Sequence, residues 1–106
     1  MLTAIIRYKG KNGSAKKYVE EMISSGLVKQ IRNEEGNLRY EYSLPFGNED
    51  YVILIDSWTS QEALDIHHNL PIMKEILKLR EKYDLHMEVE KYELIQDNKD
   101  EKYIRR

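Results

Sequence analysis

The 106-residue chain has the size of one domain, and its 17 basic residues nearly balance 19 acidic ones, for a formal net charge of −2. This balance predicts no basic surface for nucleic acid or anionic lipid. The absence of cysteine excludes disulfides, thiolate nucleophiles and cysteine-ligated metal centres, and no run is long enough for a membrane span, so we expect a cytoplasmic protein.

Strand and helix signals alternate along the first third of the chain. The run Leu2 to Tyr8 is rich in apolar and β-branched residues and ends at KGKNG, which predicts a first strand. Ser14 can then cap an amphipathic helix, and the SSG segment separates it from a second, shorter helix. The predicted apolar face of the first helix consists of Ala15, Tyr18, Val19, Met22 and Ile23.

The middle of the chain predicts two antiparallel strands. In LRYEYSL, apolar and polar residues alternate, which is typical of a strand with one buried face. The run Tyr51 to Ile55 is almost continuously apolar and predicts an interior strand covered on both faces. The segment PFGNED between them has the composition of a hairpin turn. The predicted buried residues of the earlier strand are Leu38, Tyr40, Tyr42 and Leu44.

Two helices and a last strand complete the pattern. Thr59 with Glu62 forms a possible capping box, with Ser60 as the alternative cap, for a helix that runs towards Asn69. Pro71 starts a further helix in a new direction. The segment LHMEVEKYEL alternates as a fourth strand with one polar face. The apolar stripe of the later helix contains Met73, Ile76, Leu77 and Tyr83.

The order strand, helix, strand, strand, helix pair, strand predicts an α+β fold, the ferredoxin-like βαββαβ arrangement. Its four-stranded antiparallel sheet carries helices on one face. We assign this domain to residues 1–95 and expect a charged C-terminal tail at residues 96–106. The other sheet face has apolar members on strands two, three and four, which predicts a homodimer that buries sheet against sheet.

The segment WTSQEALDIHH, together with the residues just before it, indicates a candidate pocket. Asp56 and Trp58 share one strand face because they are two residues apart, and His67 shares the inward helix face with Leu64. A carboxylate beside an imidazole can fix one tautomer and produce a base near neutral pH, while an indole can hold a flat aromatic ligand. Packing is the commoner role of each residue, so both interpretations stay open.

Other site types have weaker signals. Tyr40 and Tyr42 would supply hydroxyls to the same cavity if their rings face the helices, with sheet packing as the alternative. No H-x-x-x-H or H-E-x-x-H pairing occurs, so we predict no metal site. The chain contains neither a P-loop nor a G-x-G-x-x-G run, and we expect no nucleotide or flavin cofactor.

Three stretches, GNLRYEYSL, YVILIDSWTSQEALDIHHNLP and VEKYEL, resemble the antibiotic biosynthesis monooxygenase family of dimeric α+β barrels. The resemblance covers residues 1–95, and its specific part is a W-x-S-x-E-A-L-x-x-H run followed by proline. The family often has glutamate two residues before the tryptophan, where this chain has Asp56. The motif is carried by Trp58, Ser60, Glu62, Ala63, Leu64, His67 and Pro71.

The resemblance implies a homodimer with a pocket between sheet and helices in each subunit. It also implies oxidation of a quinol or another polyphenolic aromatic by dioxygen, without metal, flavin or other cofactor. His67 would be the catalytic base and Asp56 its orienting partner. The substrate-binding residues would be Trp58, Tyr40, Tyr42 and Leu64.

Two alternatives stay open beside this interpretation. A haem-degrading branch of the family uses an asparagine on the first strand and a histidine in the later helix, and this chain has neither in Leu2 to Tyr8 or Met73 to Tyr83. A dimer that binds a small aromatic ligand without turnover fits the same pattern, because one fold supports many functions.

Overall fold

The computed structural model describes all 106 residues and contains four strands and four α-helices. The strands are β1 (Leu2–Lys9), β2 (Asn37–Ser43), β3 (Tyr51–Trp58) and β4 (His86–Glu93). The helices are α1 (Ser14–Ser24), α2 (Leu27–Arg32), α3 (Gln61–His68) and α4 (Ile72–Lys82). A short 3₁₀ helix (Glu101–Tyr103) lies in the C-terminal segment.

The sheet confirms the predicted ferredoxin-like topology. Its strand order is β2-β3-β1-β4, and every neighbouring pair is antiparallel. In the register of the central strands, Ala4 lies opposite Asp56 on one side and opposite Lys91 on the other. Further along β1, Tyr8 lies opposite Val52 and Met87 in the same way. These pairings fix which side chains share the helix side of the sheet.

The hydrophobic core lies between this sheet face and the helices. Alternate residues of β1 and β3 point into it, as expected for a strand with a period of two. The short helix α2 buries Leu27, Val28 and Ile31, so the predicted second apolar face is confirmed. None of the helices is long and apolar enough to cross a membrane.

Four residues that the periodicity assigns to buried faces are instead more than half exposed. Leu38 lies at a β-bulge between Asn37 and Arg39, which interrupts the alternation on β2. Leu44 follows the last residue of that strand, and no partner strand covers it. Ile23 and Leu77 lie at the margin of their helical stripes, beyond the reach of the core.

The helix starts differ in part from the expectation. Gly13, with φ of 80°, precedes α1, and Ser14 does not cap the helix because its hydroxyl accepts a hydrogen bond from the backbone N–H of Lys11. For α3 the cap is Ser60, whose Oγ accepts from the backbone N–H of Ala63 over 3.1 Å. The predicted capping box of Thr59 and Glu62 is therefore not formed, and the alternative cap is the one used.

The sheet face away from the helices has a different apolar pattern from the predicted one. Its apolar centre comes from β1 and β3, where Ile5, Ile53 and Ile55 are half-buried. On β2 and β4 the same face is mostly polar, because Met87 and Val89 of β4 pair with inward-facing residues of β1. The expectation of apolar residues from strands two and four is therefore wrong. Arg39 and Glu41 occupy the outer positions because they alternate with Tyr40 and Tyr42, which point to the helices.

Candidate active site

The end of β3 carries two predicted site residues side by side. Asp56 and Trp58 point to the helix side and are 5% and 0% exposed. The indole Nε1 of Trp58 donates a hydrogen bond to Oδ1 of Asp56 over 2.7 Å. Burial raises the pKa of the Asp56 carboxyl to about 6, because removal from water penalises its charge more than the hydrogen bond from Trp58 favours it.

His67 reaches the same region from the last turn of α3. Its ring is 4% exposed and stacks on Trp58, with the ring centroids 4.8 Å apart. Its Nδ1 lies 2.8 Å and 2.9 Å from the two carboxylate oxygens of Glu34, while Nε2 makes no hydrogen bond within the protein. A carboxylate at Nδ1 holds the proton on that nitrogen, so the lone pair of Nε2 is free to act as a base.

The structure thus gives the orienting position beside His67 to Glu34 and not to Asp56. The carboxylate of Asp56 is turned towards the indole N–H, and it makes no hydrogen bond with His67. Glu34 was not predicted as a site residue, because the composition of NEEGN by itself indicates only a turn. A signal was nevertheless present, since the turn leads directly into β2, whose first residue Asn37 pairs with Trp58.

A close backbone approach explains how the turn brings Glu34 to His67. Gly36 has φ of +86°, and a Cβ built on it would lie 2.7 Å from the Cβ of Ala63. Its carbonyl accepts a hydrogen bond from the backbone N–H of Thr59 over 2.9 Å. Glycine alone fits both constraints without strain, and the turn is therefore held against the first turn of α3.

The two tyrosines of β2 face the helices, which is the orientation that they need in order to supply hydroxyls to the cavity. Their hydroxyls are 3.1 Å apart, and Tyr42 donates a further hydrogen bond of 3.4 Å to the hydroxyl of Tyr18. The rings of Tyr40 and Tyr42 meet edge to face at 5.5 Å. Burial raises the pKa of both hydroxyls well above the ordinary value, so they remain protonated and able to donate hydrogen bonds.

A cleft of about 240 Å³ opens beside these groups, between the sheet and helices α3 and α4. Since a cavity of roughly 150 Å³ accommodates benzene, this cleft has room for one substituted aromatic ring. Most of the lining is apolar, with a few polar groups, as is usual for small-molecule sites. The lining residues are Ala4, Ile6, Tyr40, Leu54, Asp56, Leu64, His67, His68, Met73, Ile76, Arg80, Met87, Val89 and Lys91.

The cleft brings together four of the six predicted site residues, Tyr40, Asp56, Leu64 and His67. Trp58 does not line it, because its indole lies behind His67 and supports that ring. Tyr42 also lies outside the lining and contacts the cleft only through Tyr40. Direct contact of either residue with a ligand ring is therefore not supported by this geometry.

Arg80 is a second cleft residue that the spacing did not reveal. It lies four residues after Ile76 on α4, so both face the sheet, but a charged residue in that position has the pattern of a solvated helix face. Its Nη2 donates a hydrogen bond of 2.9 Å to the hydroxyl of Tyr8. The cleft therefore combines a buried imidazole, an apolar floor and a guanidinium.

This arrangement is suited to acid–base chemistry on a flat, largely apolar ligand. Nε2 of His67 is a base that a carboxylate orients, and the apolar lining limits access of water to a reacting group. No group of three or more histidine, aspartate or glutamate side chains is arranged to hold a metal ion. Any ligand of this cleft would be held mainly by its apolar ring and by a few polar contacts.

Comparison with known proteins identifies a family. The family model described as antibiotic biosynthesis monooxygenase matches residues 1–79. A structure from Deinococcus radiodurans, provisionally described as an antibiotic biosynthesis monooxygenase, matches this chain with a TM-score of 0.78 at 15% sequence identity. The match covers 92% of this chain and 95% of that chain. SnoaB, described as a cofactor-independent oxygenase from Streptomyces nogalater, has a TM-score of 0.74 at 12% identity, covering 91% and 94%. No curated protein matches the chain.

Proposed function

Because the chain belongs to the antibiotic biosynthesis monooxygenase family, we propose that it is a cofactor-independent monooxygenase that oxidises a quinol or related polyphenol with dioxygen. The observation that carries the proposal is His67, a buried imidazole in an apolar cleft with Glu34 at Nδ1 and a free Nε2. A base in this environment can ionise a phenolic hydroxyl near neutral pH. Asp56 would contribute as a second proton-exchanging group, since its pKa is raised to about 6.

The proposed reaction uses the substrate as its own reductant. Nε2 of His67 takes the proton of a phenolic hydroxyl, and the resulting anion passes one electron to dioxygen, which gives a substrate radical and superoxide. The two radicals combine in a new carbon–oxygen bond. A proton returned by His67 gives a hydroperoxide, and the same carbon then loses its hydrogen as a proton while the oxygen–oxygen bond breaks. One oxygen stays as a carbonyl, the other leaves as water, and a quinol becomes a hydroxyquinone.

The test is oxygen uptake by chelator-treated protein with a panel of quinols and polyphenols. We expect uptake above the rate of autoxidation, and a loss of about a hundredfold or more in kcat for His67→Gln, because general base catalysis contributes that much. The control is His86→Gln, since the side chain of His86 is 79% exposed and outside the cleft. Equal rates for His67→Gln and wild type would contradict the proposal, and binding of quinols without uptake would favour a ligand-binding protein.

We also propose that the molecule is a homodimer in which the outer sheet faces pack together. The proposal is supported by Ile5, Ile53 and Ile55, three half-buried isoleucines on adjacent central strands. Contiguous apolar surface of this kind is commonly an interface. The polar residues of β2 would form part of the rim.

A further inference from the structure

The guanidinium of Arg80 is a cation in the cleft that has no acidic partner. Its one hydrogen bond runs from Nη2 to the hydroxyl of Tyr8 over 2.9 Å. None of the ion pairs in the protein involves Arg80, and its Nε is buried without any hydrogen-bond partner. Since arginine stays charged at all ordinary pH values, the cleft holds a positive charge that no hydrogen-bonded carboxylate neutralises.

The contact with Tyr8 fixes where this charge lies. The guanidinium sits over the Tyr8 ring, 5.4 Å from its centroid, in addition to the hydrogen bond. In the register of β1, Tyr8 is four residues from Ala4, the residue opposite Asp56. At 3.3 Å per residue, these positions are separated by about 13 Å along the strand. Arg80 is thus held from the Tyr8 end of β1, while Asp56 lies at the Ala4 end, near enough for the two charges to act on each other.

The floor between these two ends is apolar. Ile6 lies midway along β1, with Leu54 opposite it on β3 and Val89 opposite it on β4. All three residues line the cleft. A cation at the end of Asp56 is also present, but Lys91 already donates a hydrogen bond of 2.9 Å to Gln61. Lys91 is also exposed to solvent, whereas Arg80 is half-buried, so Arg80 is the positive group that a ligand would meet within the cleft.

We propose that Arg80 binds a carboxylate of the substrate, so that the cleft selects hydroxyaryl carboxylates over neutral phenols. The ring would lie on Ile6 with its hydroxyl towards His67 and its carboxylate towards the guanidinium. Carboxylates form charge-assisted hydrogen bonds with guanidinium nitrogens, and the fixed plane set by Tyr8 orients them. The position assigned to the hydroxyl rests on the proposed monooxygenase function, whereas the position assigned to the carboxylate rests on Arg80 alone.

The test compares a charged ligand, 4-hydroxybenzoate, with its neutral methyl ester, which carries one additional methyl group, by calorimetric titration of the full chain. Wild type is expected to bind the acid at least about tenfold more tightly than the ester. In Arg80→Gln the acid should lose about that factor, while the ester changes by less than about twofold. The control is Lys78→Gln, because Lys78 lies on the same helix with its side chain 73% exposed.

Several results would overturn this assignment. Equal affinity of wild type for acid and ester would remove the carboxylate preference, and this comparison needs no variant and so does not depend on the folding of Arg80→Gln. Equal weakening of both ligands in the folded variant would mean that Arg80 shapes the cleft and binds no anion. Arg80-dependent binding of 4-nitrophenolate, with none of 4-hydroxybenzoate, would replace the carboxylate by an ionised phenol.

Oxygen uptake distinguishes this proposal from the function on which it partly rests. Tight binding of 4-hydroxybenzoate through Arg80, with no uptake for any hydroxyaryl acid or quinol, would leave the carboxylate site standing and contradict the monooxygenase. Uptake with quinols, together with equal affinity of wild type for 4-hydroxybenzoate and its methyl ester, would support the monooxygenase and contradict the carboxylate site.

Discussion

At the scale of single residues, His67 is fixed by groups from two separate segments of the chain. Glu34 binds Nδ1 from the turn before β2, and Trp58 stacks on the ring from the end of β3. The imidazole is therefore oriented before any ligand arrives. Preorganisation of this kind is what a base needs, since the ring does not have to be ordered during the reaction.

Replacement of Glu34 tests the orienting role directly. In Glu34→Gln the neutral amide can still accept from Nδ1 but holds that proton less strongly than the carboxylate does, and kcat should fall about 10- to 100-fold, as is typical for partners of functional histidines, with KM nearly unchanged. Steady-state oxygen uptake at several substrate concentrations measures both constants. The control is Glu35→Gln, the exposed neighbour that makes no contact with the imidazole. A change in KM with constant kcat would contradict the orienting role.

Ionisation of Asp56 makes the free energy of unfolding fall as the pH rises, whereas most carboxylates in folded proteins have the opposite effect. Its pKa rises from 3.8 to about 6 on folding, so the folded state binds the proton more tightly than the unfolded state. Stability should therefore fall as the pH rises from 4 to 6, by up to about 3 kcal/mol, and remain lower above that range.

The substitution Asp56→Asn removes this ionisation while it keeps an oxygen that can accept from Trp58. We expect it to stabilise the protein at pH 7.5 by about 1 to 3 kcal/mol and to leave stability at pH 4 almost unchanged. Urea unfolding at the two pH values measures the difference. Asp50→Asn, at an exposed position, should show no such dependence. An equal effect of Asp56→Asn at both pH values would mean that packing, and not charge, is responsible.

Sequence patterns could predict part of the site. Asp56, Leu64 and His67 are brought together because period rules place them on facing surfaces of one strand and one helix. Glu34 and Arg80 could not be found in this way, since their positions depend on how a turn and a second helix pack against that pair. Local periodicity describes the face of an element and not the distance between elements.

At the scale of elements, the turn before β2 determines the geometry of the site as much as the helix does. Its Gly36 has a positive φ and lies so close to Ala63 that a Cβ at position 36 would clash with that side chain. In Gly36→Ala we expect a loss of about 2 to 4 kcal/mol in unfolding free energy, from backbone strain and from overpacking, together with displacement of Glu34. Urea unfolding and oxygen uptake measure the two effects.

A matched control separates strain from the steric clash. Gly47 has nearly the same φ, +83°, but a Cβ there would meet nothing within 4 Å. Gly47→Ala should therefore cost only the strain, about 1 to 2 kcal/mol, and leave activity intact. Equal losses in the two variants would mean that the close approach to α3 contributes nothing.

The elements themselves were predictable because strong periodicity and turn chemistry agree along most of the chain. The order of strands and helices and the break at Gly26 are confirmed. The exposure of Leu38 was not predictable, because the bulge that turns it outward depends on pairing with β3. The division into a domain at residues 1–95 and a charged tail stays a prediction.

At the scale of the whole molecule, the outer sheet face is the surface through which we propose that two copies assemble. If two such faces pack together, light scattering at micromolar concentration should give twice the chain mass of 12.7 kDa. Ile53→Lys should give monomers, because it places a charge in the centre of the apolar area. Ile66→Lys is the control, since Ile66 is 58% exposed on α3. A monomer mass for wild type would contradict the dimer.

The edge strand β4 has a further consequence for how the protein can diversify. Its residues Met87 and Val89 form part of the cleft wall, yet they are 38% and 49% exposed and lie outside the core. Exposed side chains tolerate substitution with little loss of stability. Mutations there can alter ligand preference while the folding core stays the same. Evolution, or a directed library at these two positions, therefore has access to new specificities without endangering the fold.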